Sequence, residues 1–303
     1  MTALVHRSGR DGNPGRLRFL AVAASYLVIV GLCVGTLAAA GDLSLGRSPW
    51  YNLMKSLADF GHPSFLDVWL GPERLEYRSE DGTLLRVENR RATELEFLWA
   101  LGRATWTTFQ IATLGSLLAA VLALPLALLS ARNLNAPRLL AWATTGVLDI
   151  ARAVHTLVFG LVLVGIVGLG PTAGVLAIAL HSLGTYGKLY AESIETLDMS
   201  AVDAVRATGA TPSQVFFSAV WPSVLPQFIS NHLYVWEFNI RDSTILGLIG
   251  AGGLGLLISE AVSLFHWSRL ATILLIVVAL VTAFDALSRR IRQGLIGGLN
   301  GPT

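Results

Sequence analysis

Asp149, Arg152 and His155 recur at three-residue intervals within a largely apolar stretch, and Glu237 and Arg241 stand four apart in another. Such spacings put ionisable groups on one helix face. In hydrocarbon each is costly unless it is paired or turned toward a water-filled path. These groups can therefore close a structural ion pair between helices, or offer weak contacts to a charged solute in transit. Both uses are open for both groups. Glu237 lies 15 residues beyond Pro222, roughly 22 Å along a continuous helix, which predicts a position in the outer half of a bilayer. The glycines from Gly247 to Gly255, among them Gly250, Gly252 and Gly253, permit backbone bending and close helix approach. They suit a gate hinge and, equally, tight packing against a second copy. His181 and His232 are single, with no second ligand at metal spacing, and read as packed or hydrogen-bonded side chains.

Other chemistries find no residues here. Cys33 is the single cysteine, so there is neither a disulfide framework nor a cysteine-based metal site. Gly184-Thr185-Tyr186-Gly187-Lys188-Leu189 lacks the spacing and the hydroxyl of a phosphate-binding loop. A nucleophile elbow, a zinc-protease helix motif and a paired-carboxylate site are also missing from the sequence. The reading is of no catalytic residues, no metal and no cofactor held by this chain.

The elements that carry these residues belong in a bilayer. The 303 residues are 53% hydrophobic and 14% charged, with a mean hydropathy of +0.60. That is more apolar surface than one soluble core can bury. The formal net charge of +2 gives no footprint for nucleic acid. A tail, residues 1–18, precedes a first span at 19–40, too long for a signal segment of about 7 to 15 residues. Residues 41–101 are polar and extramembrane. Within them, Arg74–Ser79 and Thr83–Glu88 flank Glu80-Asp81-Gly82, a hairpin signal, and Thr93-Glu94-Leu95-Glu96 has the form of a capping box.

A core at 102–292 holds the remaining spans, and a tail at 293–303 follows. The second apolar run is Ala104 to Ala131, the third and fourth are joined at Gly168-Leu169-Gly170-Pro171, the fifth starts at Ser223, and the last covers Leu270 to about Leu287. The prediction is an all-α polytopic membrane protein of about six transmembrane helices. Arg132, Arg138, Lys188, Arg206 and the arginines at 289, 290 and 292 fall on the side of the termini, so the positive-inside rule predicts both termini in the cytoplasm and the 41–101 loop outside.

Between the fourth and fifth spans, Ser200-Ala201-Val202-Asp203 reads as a helix N-cap with an acid three residues on, and Gly209 stands where a C-cap glycine ends a helix. Thr211-Pro212 starts a second short helix running to Pro222. A knob of this kind suits a groove on a partner. The segment 198–222 resembles the coupling loop of ABC importer permeases, whose pattern is Glu-Ala-Ala, three residues, Gly, nine residues, Ile, one residue, Leu-Pro. Here it reads Asp203-Ala204-Val205, three residues, Gly209, nine residues, Ala219, Val220, Trp221-Pro222. The spacing fits, with Asp for Glu, Val for Ala, Ala for Ile and Trp for Leu.

Tyr234 to Arg241, Thr244 to Gly255, the Gly168–Pro171 breaker with Gly174 to Ala177, and Lys188 with Glu192 and Glu195 are similar to permeases of phosphonate uptake systems. The resemblance covers roughly Thr105 to Arg292. His155-Thr156 departs from it, standing where the family usually shows an acidic residue. What it implies is a type I importer permease fold in a bacterial cytoplasmic membrane, working as a homodimer. Two copies of an ATPase subunit, using ATP and Mg, would dock at Asp203, Ala204, Val205, Gly209 and Pro222, and a solute-binding protein would deliver cargo from outside. Arg152, His155, Glu237, Arg241, Gly250, Gly252 and Gly253 are the candidates for the pathway or gate. Phosphite, phosphate or another small solute is the alternative cargo. An ATP-independent secondary transporter is the alternative of a different class.

Overall fold

An apolar helix, α1 (Pro14–Ala40), comes first in the computed structural model, which describes residues 14–41, 48–70, 74–78, 84–134 and 137–297. It belongs to the first of two compact units, Met1–Leu57 and Ala58–Thr303. None of its membrane-length stretch is buried within the chain. Helix α2 (Pro49–Phe60) follows and carries the chain into the second unit.

There, a 3-10 turn and the short α3 (Asp67–Leu70) lead to an antiparallel hairpin of β1 (Arg74–Arg78) and β2 (Leu84–Asn89). Arg74 pairs with Asn89 at one end and Arg78 with Leu84 at the other, with an irregularity between Tyr77 and Arg78. The Glu80-Asp81-Gly82 turn expected between the strands lies outside the described residues. Helix α4 (Arg90–Ser130) starts earlier than the capping box at Thr93 predicts. Asn89, the last residue of β2, caps it by accepting from the Ala92 N–H at 3.2 Å. Glu94, inside that segment, is buried and its carboxylate accepts from Arg269 at 2.8 Å.

Next come α5 (Arg138–Ala153), α6 (Thr156–Val167) and α7 (Pro171–Glu195). The third span is therefore not straight, because α5 and α6 meet at 89°. His155 holds the corner by capping α6, its Nδ1 accepting from the Leu157 N–H at 3.2 Å. Helix α8 (Met199–Ala207) is capped by Asp198, two residues before the expected Ser200, through the Ser200 N–H at 2.9 Å. Helix α9 (Pro212–Val215) does not stop at Pro222. It continues through a π-helical turn, Phe216–Val220, into α10 (Trp221–Leu246), so that Pro222 lies in the first turn of a helix already under way. The remaining helices are α11 (Leu254–Ser263) and α12 (Trp267–Gly297), the last reaching beyond the expected end near Leu287.

Among the described residues, α1, α4 and α12 are each long and apolar enough to cross a membrane, and two bent pairs, α5 with α6 and α9–α10 with α11, meet the same test jointly. Helix α7 has the length but not the apolarity, for a physical reason. It lies at the centre of the second unit, packed against α4, α5, α6 and α10, and a helix surrounded by protein need not match lipid. Its most extensive contact, with α4, follows from a seam of small buried residues on α4: Ala112, Ser116, Ala119, Ala123 and Ala127. Repeating at about one turn, they let the two backbones approach.

Candidate functional site

Gly184 faces the last turn of α5 so closely that an added Cβ would lie 2.4 Å from the Leu148 carbonyl oxygen and 2.5 Å from the Arg152 nitrogen. Only a glycine admits that approach. The contact brings Arg152 to the edge of a cavity of about 450 Å³ walled by α7 and α10. Lys188 and Glu192 line it from α7 with His181, Ser182 and Thr185, while Tyr234, Phe238 and Asn239 line it from α10.

The charged lining is two cations and one carboxylate. Arg152 is held by Asp149, one turn back on α5, with Nε donating to Oδ1 at 2.9 Å, and Lys188 lies 3.7 Å from Glu192. Both cations are about half exposed, at 49% and 40%, so both keep faces for a further anion. The floor is a buried polar relay: Ser182 donates to Asn239 Oδ1 at 3.0 Å, and Asn239 Nδ2 donates to Ser116 at 2.8 Å. It ties α7, α10 and α4 together and satisfies polar groups that would be costly unpaired in an apolar core. His181 Nδ1 donates to the Val154 carbonyl at 2.8 Å, fastening α7 to the α5–α6 corner. An arrangement of this kind can hold a small oxyanion by charge and hydrogen bonds without enclosing it.

The other candidates fall elsewhere. His155 does not share a helix face with Asp149 and Arg152, because the corner separates them and its ring caps α6. Its ring centroid is 6.3 Å from that of His181. Glu237 has two arginine partners. It sits between Arg241 at 2.9 Å and Arg292 at 3.9 Å, and Arg292 belongs to the terminal cluster predicted at the cytoplasmic end. The glycines form a corner packed within the chain itself. Gly250, Gly252 and Gly253 all have positive φ, at 95°, 82° and 70°. A Cβ on Gly250 would strike Leu169, and one on Gly253 would meet Thr108. Thr108 also accepts from the Leu254 N–H at 2.8 Å.

One buried acid escaped the sequence reading. Asp242, beside Arg241, is only 8% exposed, and its Oδ2 accepts from Thr156 at 2.8 Å at the first turn of α6. The rule that singles out Glu237 applies to it equally; its adjacency to Arg241 hid it behind an apparent neighbour pair, although adjacent residues on a helix do not face each other. Ser116, Ser182 and Asn239 carry no charge and gave only the weak signal of polar residues at turn-spaced positions in apolar runs.

The 198–222 segment forms a knob. Val202, Val215, Ala219 and Val220 make a small buried cluster, with Val205 packed on it. Asp203, Ala204 and Pro222 are exposed, as is Phe217. Asp203 lies 3.2 Å from Arg206. Gly209 turns the chain between α8 and α9 at φ 81°, with its N–H donating to the Arg206 carbonyl at 3.0 Å. Hydrogen bonds from the Ser200 backbone and hydroxyl hold the Asp198 carboxyl below its usual value.

Residues 123–297 match the family described as the binding-protein-dependent transport system inner membrane component. The chain belongs to that family. Among curated permeases it is 42% identical over 187 residues to the phosphite transport system permease protein PtxC of Stutzerimonas stutzeri, covering 61% of this chain and 68% of PtxC. It is 40% identical over 185 residues to the putative phosphite permease HtxC of the same organism, covering 61% of this chain and 66% of HtxC. The phosphate-import permease PhnE of Mycolicibacterium smegmatis is 34% identical over 189 residues, 62% of this chain and 36% of PhnE. Among solved structures, the permease fold matches a chain of the MetNI methionine ABC transporter with a TM-score of 0.60 at 20% identity, over 66% of this chain and 98% of that one. These matches establish an ABC importer permease fold, mostly helical with several apolar helices.

Proposed function

We propose that this chain is the translocation subunit of an ATP-driven importer for small phosphorus oxyanions, with phosphonates the first candidate cargo. The observation that carries the reading is the cavity in which Arg152 and Lys188 converge beside hydrogen-bonding groups of α7 and α10. Two half-exposed cations, each tempered by an acid one turn away, make the weak, reversible contact that passage requires. Phosphite is the second reading, favoured by the names of PtxC and HtxC.

In this reading two copies of the chain pair in the bacterial cytoplasmic membrane with both termini in the cytoplasm. Each offers the 198–222 knob, with Asp203, Ala204, Val205, Gly209 and Pro222, to one of two ATPase subunits that use ATP and Mg. A solute-binding protein delivers cargo at the other face. Closure of the ATPases moves the knob, and the helices joined to it exchange an inward-facing path for an outward-facing one.

The test is uptake of phosphonate, phosphite and phosphate in cells lacking the native permease. With wild type, uptake of one of these anions should stop on ATP depletion. Arg152→Gln and Lys188→Gln should each raise the half-saturating cargo concentration about tenfold or more, since a charged hydrogen bond is worth about 1.5–3 kcal/mol. ATPase co-purification should be unchanged. Uptake indifferent to ATP depletion would mean a secondary transporter, and undisturbed uptake in both variants would remove the cavity from the path.

A further inference from the structure

Helix α2 is turned the wrong way for water. Trp50, Leu53, Met54 and Leu57 follow at i, i+3, i+4 and i+7 and form one apolar stripe. The opposite side carries Asn52, Lys55, Ser56 and Asp59. On an amphipathic helix packed against a soluble core, the stripe is covered and the polar side is wet. Here all four stripe residues are exposed, Trp50 to 73% and Met54 to 63%, and no residue of the helix is buried. The partly covered positions are Ser56 and Asp59 on the polar side and Phe60 at the last turn, beyond the exposed stripe.

We propose that this stripe lies in the headgroup region of the bilayer, making α2 an interfacial foot parallel to the membrane surface. Two tethers hold it at that level. The helix starts nine residues after Ala40, the last residue of α1, a link of no more than about 32 Å even when fully extended. At its other end, the Asp59 carbonyl accepts from Ser268 at 3.2 Å and the Phe60 ring lies 5.9 Å from that of Trp267, both in the first turn of α12, a helix apolar enough to cross the membrane. A helix joined by so short a link to one membrane-length apolar helix and fastened by its last residues to another is kept near lipid. Its composition suits that boundary: Trp50 and Tyr51 have the amphipathic rings favoured there, and Lys55 at the edge of the polar side can reach lipid phosphates. The inference depends on α1 and α12 spanning the bilayer and not on the identity of the cargo.

The experiment uses the full chain with Cys33 replaced by serine, reconstituted in vesicles of zwitterionic and anionic phospholipid. An environment-sensitive fluorophore is attached through Met54→Cys on the stripe, or through Lys55→Cys beside it, with Leu57→Cys as a second stripe site should the first variant insert poorly. Stripe probes should emit at shorter wavelength than the Lys55 probe. They should be quenched several-fold more by nitroxide lipids labelled just below the headgroup than by lipids labelled deep in the acyl chains. Equal, water-like emission from both faces would overturn the proposal. So would stripe probes that are dry but unquenched, which would mean that a protein surface covers them, or probes quenched best by the deep nitroxide, which would mean an inserted segment.

Discussion

Asp242 shows how a buried acid is tolerated within the helical core. Its Oδ2 takes the Thr156 hydroxyl hydrogen at the first turn of α6, where the backbone N–H groups leave partial positive charge. Replacing it with alanine strands that hydroxyl in a buried site, at a cost of about 1–3 kcal/mol. Asp242→Ala should therefore lower the unfolding temperature of the detergent-solubilised protein, and Asp242→Asn, which keeps an acceptor oxygen, should lower it less. Indistinguishable melting of the two variants would show that hydrogen bonding to Thr156 is not what holds the acid. The same scale explains what sequence could and could not reveal. Arg152 was legible as a charge in an apolar run, whereas its companion Lys188 entered as a marker of the cytoplasmic side and through resemblance, and Asn239 is silent without the fold, because its value lies in bridging Ser116 and Ser182 across three helices.

At the scale of elements, the close approach of α5 to α7 depends on a missing methyl group. In Gly184→Val, the new side chain must push the α5 backbone away, an overpacking cost of about 1–3 kcal/mol, and Arg152 moves with it. Uptake should fall further than in Arg152→Gln while the protein still inserts in the membrane; normal transport would mean that α5 is free to shift. Gly209 belongs to a different kind of element, a turn. Its left-handed backbone is unfavourable for any side chain, by roughly 1 kcal/mol or more, but nothing lies within 4 Å of its Cβ position, so the strain stays local. Gly209→Val should leave a membrane-inserted protein that retains less ATPase on co-purification and transports less, and full retention would count against the docking role of the knob. Helix existence was written plainly in the apolar runs, but helix ends were not. Asp198 displaced Ser200 as a cap and Asn89 displaced Thr93, because several residues in each stretch are competent caps and tertiary partners choose among them. The corner at His155 was likewise hidden, since no glycine or proline marks it.

For the whole molecule, the arginine distribution predicts one orientation, with residues 41–101 outside the cytoplasm. Trp69, 83% exposed, offers a reporter. In a Cys33→Ser background, Trp69→Cys should react with a membrane-impermeant thiol reagent in spheroplasts, and protection until lysis would reverse the topology. The continuity of the chain from Pro212 to Leu246 has a mechanical consequence. Without a break over 35 residues, it forms a lever roughly 50 Å long, bearing the knob at one end and the glycine corner at the other. With the glycine end fixed, a tilt of about 10° corresponds to a displacement of roughly 9 Å at the knob. The far end is pinned where Leu254 meets Thr108, so the corner at Gly250, Gly252 and Gly253 is the fulcrum, and the stroke shrinks from the knob toward it along the wall of the cavity that lies between.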